Sequence, residues 1–361
     1  MKLNLAQWGN SLHSGEKTYP IVARRRRWLT ISTIAILACL SVLVFKHLNF
    51  GVEFTGGAVY QVSGLTNATS APAEKVISDL APDQELRAPE LGTNSVRVRI
   101  GVVDVETSRL IESGLATAYD VSADKVSSSQ IGPTWGAEVG KKAVQGLVIF
   151  LILVGLVMTV YFRAWRMAVA GLVALFHDLI FTVGIYALVG FEVTPASVIG
   201  FLTILGYSLY DTVVVFDKVR ENTANVTAQH RYTYDELANL GLNQTLVRSI
   251  NTSVVALLPV TAILFIGSLL LGAGTLKDIA LALFVGMAVG TYSSIFVATP
   301  LEVMLRDREE RISKHTSEVL ALRETGQTDV QVYADGAVRV GAVNPGTHRG
   351  TKAQPKRKGR K

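Results

Sequence analysis

The amino-acid sequence predicts a polytopic α-helical membrane protein with six transmembrane helices and one extracytoplasmic α+β domain. The first observation is composition: of 361 residues, 49% are hydrophobic and only 18% are charged, and the mean hydropathy is +0.34. Soluble domains usually carry about 25% charged residues. The second observation is a set of six apolar stretches. The third is a polar segment between the first two stretches that is long enough to fold by itself.

Six stretches are long enough to cross ~30 Å of hydrocarbon as a helix, which takes about 20 residues. Within these stretches, the only Asp, Glu, Lys, Arg or His residues are His177 and Asp178 in the third and Asp211 in the fourth. The predicted spans are 28–45, 143–162, 167–191, 193–216, 250–272 and 279–301.

The distribution of basic residues predicts the orientation of the chain in the membrane. With the N-terminus inside, 25 of the 35 Lys and Arg residues lie on the inner side and ten on the outer side, as the positive-inside rule requires. Residues 1–27 then form a cytoplasmic segment, and 302–361 form a basic, largely disordered cytoplasmic tail. The net charge of +6 is explained by basic residues beside anionic lipid, so we expect no nucleic-acid partner.

The outer segment, 46–142, is predicted to be a domain because its pattern alternates between strand and helix periods. The second helix has Asp104 as its expected N-cap. The predicted elements are strand 59–63, helix 72–80, strand 84–88, strand 96–100, helix 105–118 and strand 126–131. This β-α-β-β-α-β order is typical of a ferredoxin-like fold.

Four motifs, in this order along the chain, resemble those of a known family. Phe50–Gly57 reads FGVEFTGG and contains Gly56 and Gly57. Residues 206–222 read GYSLYDTVVVFDKVREN, and segments at 243–253 and 290–294 follow. Within the second motif, the residues that we align with the family are Gly206, Asp211, Thr212, Asp217, Arg220 and Asn222.

Together these motifs resemble the SecD/SecF family of bacterial protein-translocase subunits. In this family the SecF-type subunit is similar to one half of a resistance-nodulation-division transporter, and the SecD-type subunit is the other half. The resemblance covers roughly residues 28–301. One position departs from the family pattern, because Tyr210 stands where the family usually has Asn.

The resemblance implies a SecF-type subunit of the bacterial cytoplasmic membrane. Such a subunit works with a SecD-like subunit and uses the proton motive force to promote late-stage export of unfolded preproteins. The implied wider partners are the SecYEG channel and the SecA motor. The sequence contains no phosphate-binding loop, metal-ligand cluster or nucleophile triad, so we expect no enzyme activity, no metal and no cofactor.

Ionisable residues inside spans are the candidate proton-relay groups, because charge is costly in lipid. Asp211 lies six residues, ~9 Å along a helix, from Asp217 at the inner end of its span. Arg248 opens the fifth span from the same side and can reach inward by snorkelling, so we expect the two to form a proton-sensitive pair. Asp178 and His177, near the middle of the third span, are the other predicted relay residues.

Other readings remain open. Arg248 can be a positive-inside anchor and Asp211 a structural hydrogen-bond acceptor. Asp178 and His177 can serve helix-to-helix hydrogen bonding, and Thr212 can bond either a carboxylate or its own backbone. At the level of the whole chain, the alternatives are half of a small-molecule proton-driven exporter and a non-conducting structural subunit.

Overall fold

The computed structural model describes residues 5–84, 87–91, 94–270, 274–328, 330 and 338–340. The helices are α1 (Leu5–His13), α2 (Arg25–Lys46), α3 (Val52–Thr55), α4 (Ala71–Leu80), α5 (Val105–Ala118), α6 (Pro133–Phe162), α7 (Trp165–Val189), α8 (Pro195–Thr223), α9 (Tyr234–Ala262), α10 (Gly274–Ser293), α11 (Thr299–Arg306) and α12 (Glu310–Glu324). Two π-helical segments, Ile263–Leu270 and Ser294–Ala298, follow α9 and α10. The strands are β1 (Asn49–Phe50), β2 (Gly57–Ser63), β3 (Arg87–Leu91), β4 (Ser95–Ile100), β5 (Val126–Ile131) and β6 (Glu192–Val193).

The prediction of six membrane helices is confirmed, since six helices among the described residues are long and apolar enough to span a bilayer. Several of them begin earlier or end later than the predicted apolar stretches. The helix α6 begins at Pro133 rather than 143, and α9 begins at Tyr234 rather than 250. Hydropathy marks only the apolar part of a helix, whereas polar residues continue it without a break wherever their backbone hydrogen bonds are kept.

The segment between α2 and α6 contains a four-stranded antiparallel sheet in the order β3-β4-β2-β5. The helices α4 and α5 cover one of its faces. Alternate residues of the central strands point into the core with the apolar sides of both helices; examples are Tyr60, Val98, Ile77 and Leu115. Five of the six predicted elements lie within one or two residues of their expected bounds, and the strand expected at 84–88 is β3, Arg87–Leu91.

The helix α5 begins at the predicted N-cap. The Asp104 carboxylate accepts hydrogen bonds from the backbone N–H groups of Glu106 and Thr107 at 3.0 and 2.9 Å. The Thr107 hydroxyl adds a third bond at 2.6 Å. These bonds stabilise the charged carboxylate and hold the pKa of Asp104 below its usual value, and the bond from the Thr107 hydroxyl has the largest effect. The cap satisfies backbone donors that the first turn of a helix leaves open.

The chain divides into two compact units, which are 26–213 with 249–298, and 1–25 with 214–248 and 299–361. In the first unit, α8 and α10 pack closely because glycines lie at their contact. A Cβ atom added at Gly286 would lie 2.0 Å from Ile204 Cδ1 and 2.8 Å from Ile204 Cγ2. One added at Gly290 would lie 2.9 Å from Ser208 Cβ. Small residues allow such close approach in membrane helices.

In the second unit, polar side chains of α9 hold the N-terminal segment. Asn239 Oδ1 accepts hydrogen bonds from the backbone N–H groups of Ile21 and Val22 at 3.0 and 3.1 Å. Asn243 exchanges two bonds with the backbone of Tyr19, at 2.7 and 3.0 Å. The N-terminal segment therefore has fixed backbone partners although it was predicted only as a cytoplasmic extension.

The helix α12 lies within 302–361, the segment that the sequence predicts to be largely disordered. It is ordered because one side of it is buried, at Ile312, His315 and Val319. In addition, Arg323 donates to both carboxylate oxygens of Glu236 at 2.6 and 2.7 Å. The rest of the disorder prediction falls largely on 341–361, which lie outside the described residues.

We expect Gly286→Ala to lower the stability of the bundle by about 1–3 kcal/mol, because its new methyl group overlaps Ile204. The matched control is Gly206→Ala on α8, where an added Cβ meets no atom within 4 Å. Thermal unfolding of both variants in detergent gives the comparison. Equal unfolding midpoints for the two variants would contradict the packing described above.

We expect the variant Asp307→Asn to be more stable than the unmodified protein at pH 8, and we expect this difference to be smaller at pH 5. Burial, then a hydrogen bond and repulsion from Asp235, raise the pKa of Asp307 to about 7, although Arg25 opposes the shift. The folded state therefore binds this proton more tightly than the unfolded state. The resulting stabilisation is full below about pH 4 and is lost as the pH rises through about 7.

The gain expected for Asp307→Asn at pH 8 is roughly 1 kcal/mol, since the group is partly exposed and solvent screens it. Unfolding midpoints of the variant and the unmodified protein are compared from pH 5 to pH 8. Asp217→Asn, an exposed position in the same unit, is the control. Parallel pH profiles for all three proteins would rule out the raised pKa.

Candidate functional site

Asp178 lies in the middle of α7 and is 1% exposed. Its Oδ2 atom accepts hydrogen bonds from the Ser208 hydroxyl at 2.5 Å and from the Ser293 hydroxyl at 2.8 Å. Its Oδ1 atom lies 3.1 Å from Nδ1 of the neighbouring His177. The carboxylate is thus held by side chains from α7, α8 and α10.

Asp211 lies on α8 and is 5% exposed. Its Oδ1 atom accepts a hydrogen bond from the Ser249 hydroxyl at 2.7 Å, and its Oδ2 atom accepts one from the Ser294 hydroxyl at 2.5 Å. These contacts satisfy both oxygens with neutral donors. A buried carboxylate needs such partners, because leaving it without them in an apolar bundle is costly.

Two consecutive serines link the two carboxylates. Ser293 donates to Asp178, and Ser294 donates to Asp211. Neighbouring residues on a helix point about 100° apart, and a π-helical segment begins at Ser294. Since π-helical turns occur frequently at functional sites, the local widening of the helix fits a position where two side chains must reach different groups.

The imidazole of His177 is 6% exposed and is stacked near two aromatic rings. Its ring centroid lies 5.9 Å from that of Phe181 and 6.2 Å from that of Tyr292. Its Nε2 atom is buried and has no hydrogen-bond partner among the described residues. His177 therefore contacts Asp178 through one ring nitrogen and leaves the other available.

The structure brings Asp178 and His177 into direct contact, although adjacent residues on a helix point about 100° apart. The pairing of Asp211 with Arg248 stays a prediction, because the two residues belong to different compact units. Arg248 is an exposed residue in the interior of α9, directly before Ser249. Thr212 is buried, and its hydroxyl oxygen has no hydrogen-bond partner among the described residues.

The glycines of the family motifs lie at the entry to β2 and on α8. Gly56 and Gly57 have φ values of 75° and 139° at the entry to β2, a region that favours glycine. At Gly57, a Cβ atom would also overlap the carbonyl oxygen of Ile100. Gly206 faces open space on α8.

The remaining motif residues lie at the C-terminal end of α8. Asp217 and Arg220 are exposed. The side-chain amide of Asn222 donates to Gln244 Oε1 on α9 at 3.0 Å.

Tyr210, the departure from the family pattern, is 57% exposed, so its ring lies outside the packed interior that holds Asp211.

Sequence reasoning missed the four serines that hold the carboxylates. Serine in an apolar span is common and usually bonds its own helix, so residue type alone gives no signal. The spacing of Ser208 and Asp211, three residues apart on one helix face, is the pattern that could have indicated a polar stripe. Ser249, Ser293 and Ser294 were recognised only as parts of family motifs.

An apolar helical bundle that buries two carboxylates among hydroxyl groups, and that carries an α+β domain after its first membrane helix, is the arrangement of a membrane transport protein. The family model described as "Protein export membrane protein SecD/SecF, C-terminal" matches residues 111–308, and that of the "SecD/SecF GG Motif" matches residues 41–63. The chain belongs to the SecD/SecF family of protein-translocase subunits and is a multi-pass protein of the cytoplasmic membrane.

Relatives of this chain carry the name protein translocase subunit SecF. The Streptomyces coelicolor protein is 48% identical over 89% of this chain and 86% of its own length. The protein of Mycobacterium tuberculosis H37Rv is 41% identical over 90% of this chain and 75% of its own length. The crystal structure of SecDF, a translocon-associated membrane protein from Thermus thermophilus, matches with a TM-score of 0.72 and 29% identity, over 81% of this chain and 39% of that one.

We expect Ser294→Ala to destabilise the folded bundle by about 1–3 kcal/mol, because it removes a hydroxyl donor from the buried Asp211 carboxylate. The control is Ser41→Ala, which removes an exposed hydroxyl that donates to the Leu37 carbonyl of its own helix. Thermal unfolding in detergent is measured for both. If Ser294→Ala unfolds at the same temperature as the control, the hydroxyl does not support the carboxylate.

Proposed function

We propose that this chain is the SecF-type half of a device that uses the proton motive force to promote late-stage export of unfolded preproteins. The observation that carries the proposal is the pair of buried carboxylates, Asp178 and Asp211, each held by serine hydroxyls. A hydroxyl can donate to a carboxylate or accept from a carboxylic acid by rotating about its C–O bond. The surroundings of both groups therefore suit either protonation state.

The relay consists of Asp178, Ser293, Ser294 and Asp211. A proton bound by one carboxyl group reorients the hydroxyls beside it, so the two acids sense each other through adjacent residues of one helix. Arg248 is the proposed counter-charge of ionised Asp211, and it favours the charged form when it approaches. Protonation of Asp211 releases Arg248, and this exchange is the proposed source of movement.

The proposed partner is a SecD-like subunit. Relatives named SecDF, such as the one from Thermus thermophilus, are longer chains of which this chain covers 38%. The exposed side of α8 is the proposed contact, since it carries an open Gly206 and large exposed side chains at Ile199 and Tyr210. The SecYEG channel, the SecA motor and the unfolded preprotein are the proposed partners outside this pair.

The proposed orientation has both termini in the cytoplasm and the α+β domain outside, where it meets the emerging preprotein. We also infer that this domain is ferredoxin-like. The inference is supported by the strand order β3-β4-β2-β5 and by the position of α4 and α5 between strands. The small-molecule exporter and the non-conducting subunit are outcomes that the following experiment separates.

We expect Asp211→Asn to abolish most of the gradient-dependent gain in export. The substitution keeps size and hydrogen bonding, but the amide does not titrate. Arg248→Ala favours the protonated acid and lowers the gain as well, whereas Arg248→Lys rescues it only in part because Lys lacks the planar fork. The measurement is preprotein export into membrane vesicles that contain the complete complex, with and without a proton gradient.

The control is Glu221→Gln, a neutralisation on the same helix at a side chain that is 65% exposed. The ATP-driven early step of export is expected to be unchanged in every variant. Full gradient-dependent gain in Asp211→Asn vesicles means that the carboxylate is structural and the subunit does not conduct. Loss of small-molecule efflux with intact export would favour the exporter.

A further inference from the structure

A continuous string of aromatic rings leads from His177 to the beginning of α2. The ring of Tyr292 is stacked near His177 and lies 5.1 Å, centroid to centroid, from that of Phe296. The ring of Phe296 lies 4.4 Å from that of Trp28. Trp28 directly follows the run of arginines at 24–27, so the string ends at the membrane surface where α2 begins.

Polar atoms accompany these rings along the same route. The Tyr292 hydroxyl lies 3.1 Å from the Ser32 hydroxyl. Ser32 is the buried residue of α2, a helix whose side chains are otherwise at least partly exposed. Trp28 and Ser32 are four residues apart on α2, so they lie on one face of that helix, ~6 Å apart along its axis.

Two nitrogen atoms on the route are buried and have no hydrogen-bond partner among the described residues. They are His177 Nε2 and Trp28 Nε1. Leaving a buried polar atom without a partner is unfavourable, and ordered water is its usual partner where no protein group reaches it. Water bridges such an atom to other polar groups when two or more of them are within reach.

We propose that His177, Tyr292 and Ser32 form a proton-conducting branch that connects Asp178 with the membrane surface at the start of α2. The proposal rests on the proton role assigned above to the buried carboxylates. It adds the hydroxyls of Tyr292 and Ser32 as relay groups for the transferred proton, and it makes His177 the group through which protons enter or leave the carboxylate pair.

The transfer is a sequence of proton hops in which no group is oxidised or reduced. The Asp178 carboxylic acid gives its proton to Nδ1 of neutral His177, which becomes an imidazolium ion while Asp178 becomes a carboxylate. Nε2 then releases its proton to water beside the Tyr292 hydroxyl. That hydroxyl passes a proton toward Ser32 as it receives one. His177 is then the Nδ1–H tautomer, and it returns to the original tautomer when Nδ1 loses its proton to water and Nε2 takes one from water.

The contrasting role is that the rings only pack the helices together. Tyr292→Phe separates the two roles, because it keeps the ring and its stacking and removes only the hydroxyl. We expect this substitution to slow gradient-driven proton uptake at least about tenfold, a modest part of what a positioned acid–base group contributes. The unfolding midpoint should remain close to that of the unmodified protein.

The experiment uses the complete complex in vesicles that contain a pH-sensitive dye. Proton uptake is followed in H₂O and in D₂O. In Tyr292→Phe and Ser32→Ala we expect a larger solvent isotope effect, because the weakened proton hop becomes rate-limiting. The control is Tyr161→Phe, the same substitution at a side chain that is 54% exposed, for which neither the rate nor the isotope effect should change.

The outcomes distinguish this branch from the proposal on which it rests. If Asp211→Asn takes up protons at the normal rate, the proton role of the carboxylates is wrong. If Asp211→Asn is inactive while Tyr292→Phe and Ser32→Ala conduct with unchanged rate and isotope effect, only the branch through His177 is wrong. A slower Tyr292→Phe with an unchanged isotope effect would also overturn the branch, since a structural effect does not act on the proton hop.

Discussion

The burial of two carboxylates in an apolar helix bundle is the constraint on which the other features of this membrane region depend. Asp178 and Asp211 are tolerated because four serine hydroxyls reach their oxygens. One of these contacts, from Ser294 to Asp211, joins the end of α10 to α8, and these two helices approach closely at Gly286 and Gly290. The two glycines therefore support the polar site, since a wider gap between these helices would separate that donor from its acceptor.

Hydropathy and periodicity suffice for the number of membrane helices and for most of the α+β domain. Alternation in the strand at 96–100 and the Asp104 cap fix elements locally, so neighbouring sequence predicts them. The early start of α9 and the ordered structure of α12 were not predicted. They depend on contacts between residues distant in sequence, such as those between Asn243 and Tyr19 or between Arg323 and Glu236, which a local pattern does not contain.

The candidate site likewise contains residues that the sequence predicts and residues that it does not. Asp178, Asp211 and His177 were predicted because a charged or titratable group in an apolar stretch is unusual. Their partners were not, because serine is ordinary in such a stretch and its role depends on which helix lies opposite. The stacking of His177 near Tyr292 likewise depends on tertiary packing. The two residues are 115 positions apart, and no local sequence pattern indicates that they are in contact.

The π-helical segment Ser294–Ala298 changes the helical phase of the last membrane span. A π-helical turn holds about one more residue than an α-helical turn, so residues after it are rotated by about 100° from the positions that an uninterrupted α-helix would give them. A helical wheel drawn through the whole span therefore assigns the wrong face to one of its halves. Deletion of a single residue here would restore a uniform helix and would misalign the two serines, so insertions and deletions at this point have consequences that substitutions do not.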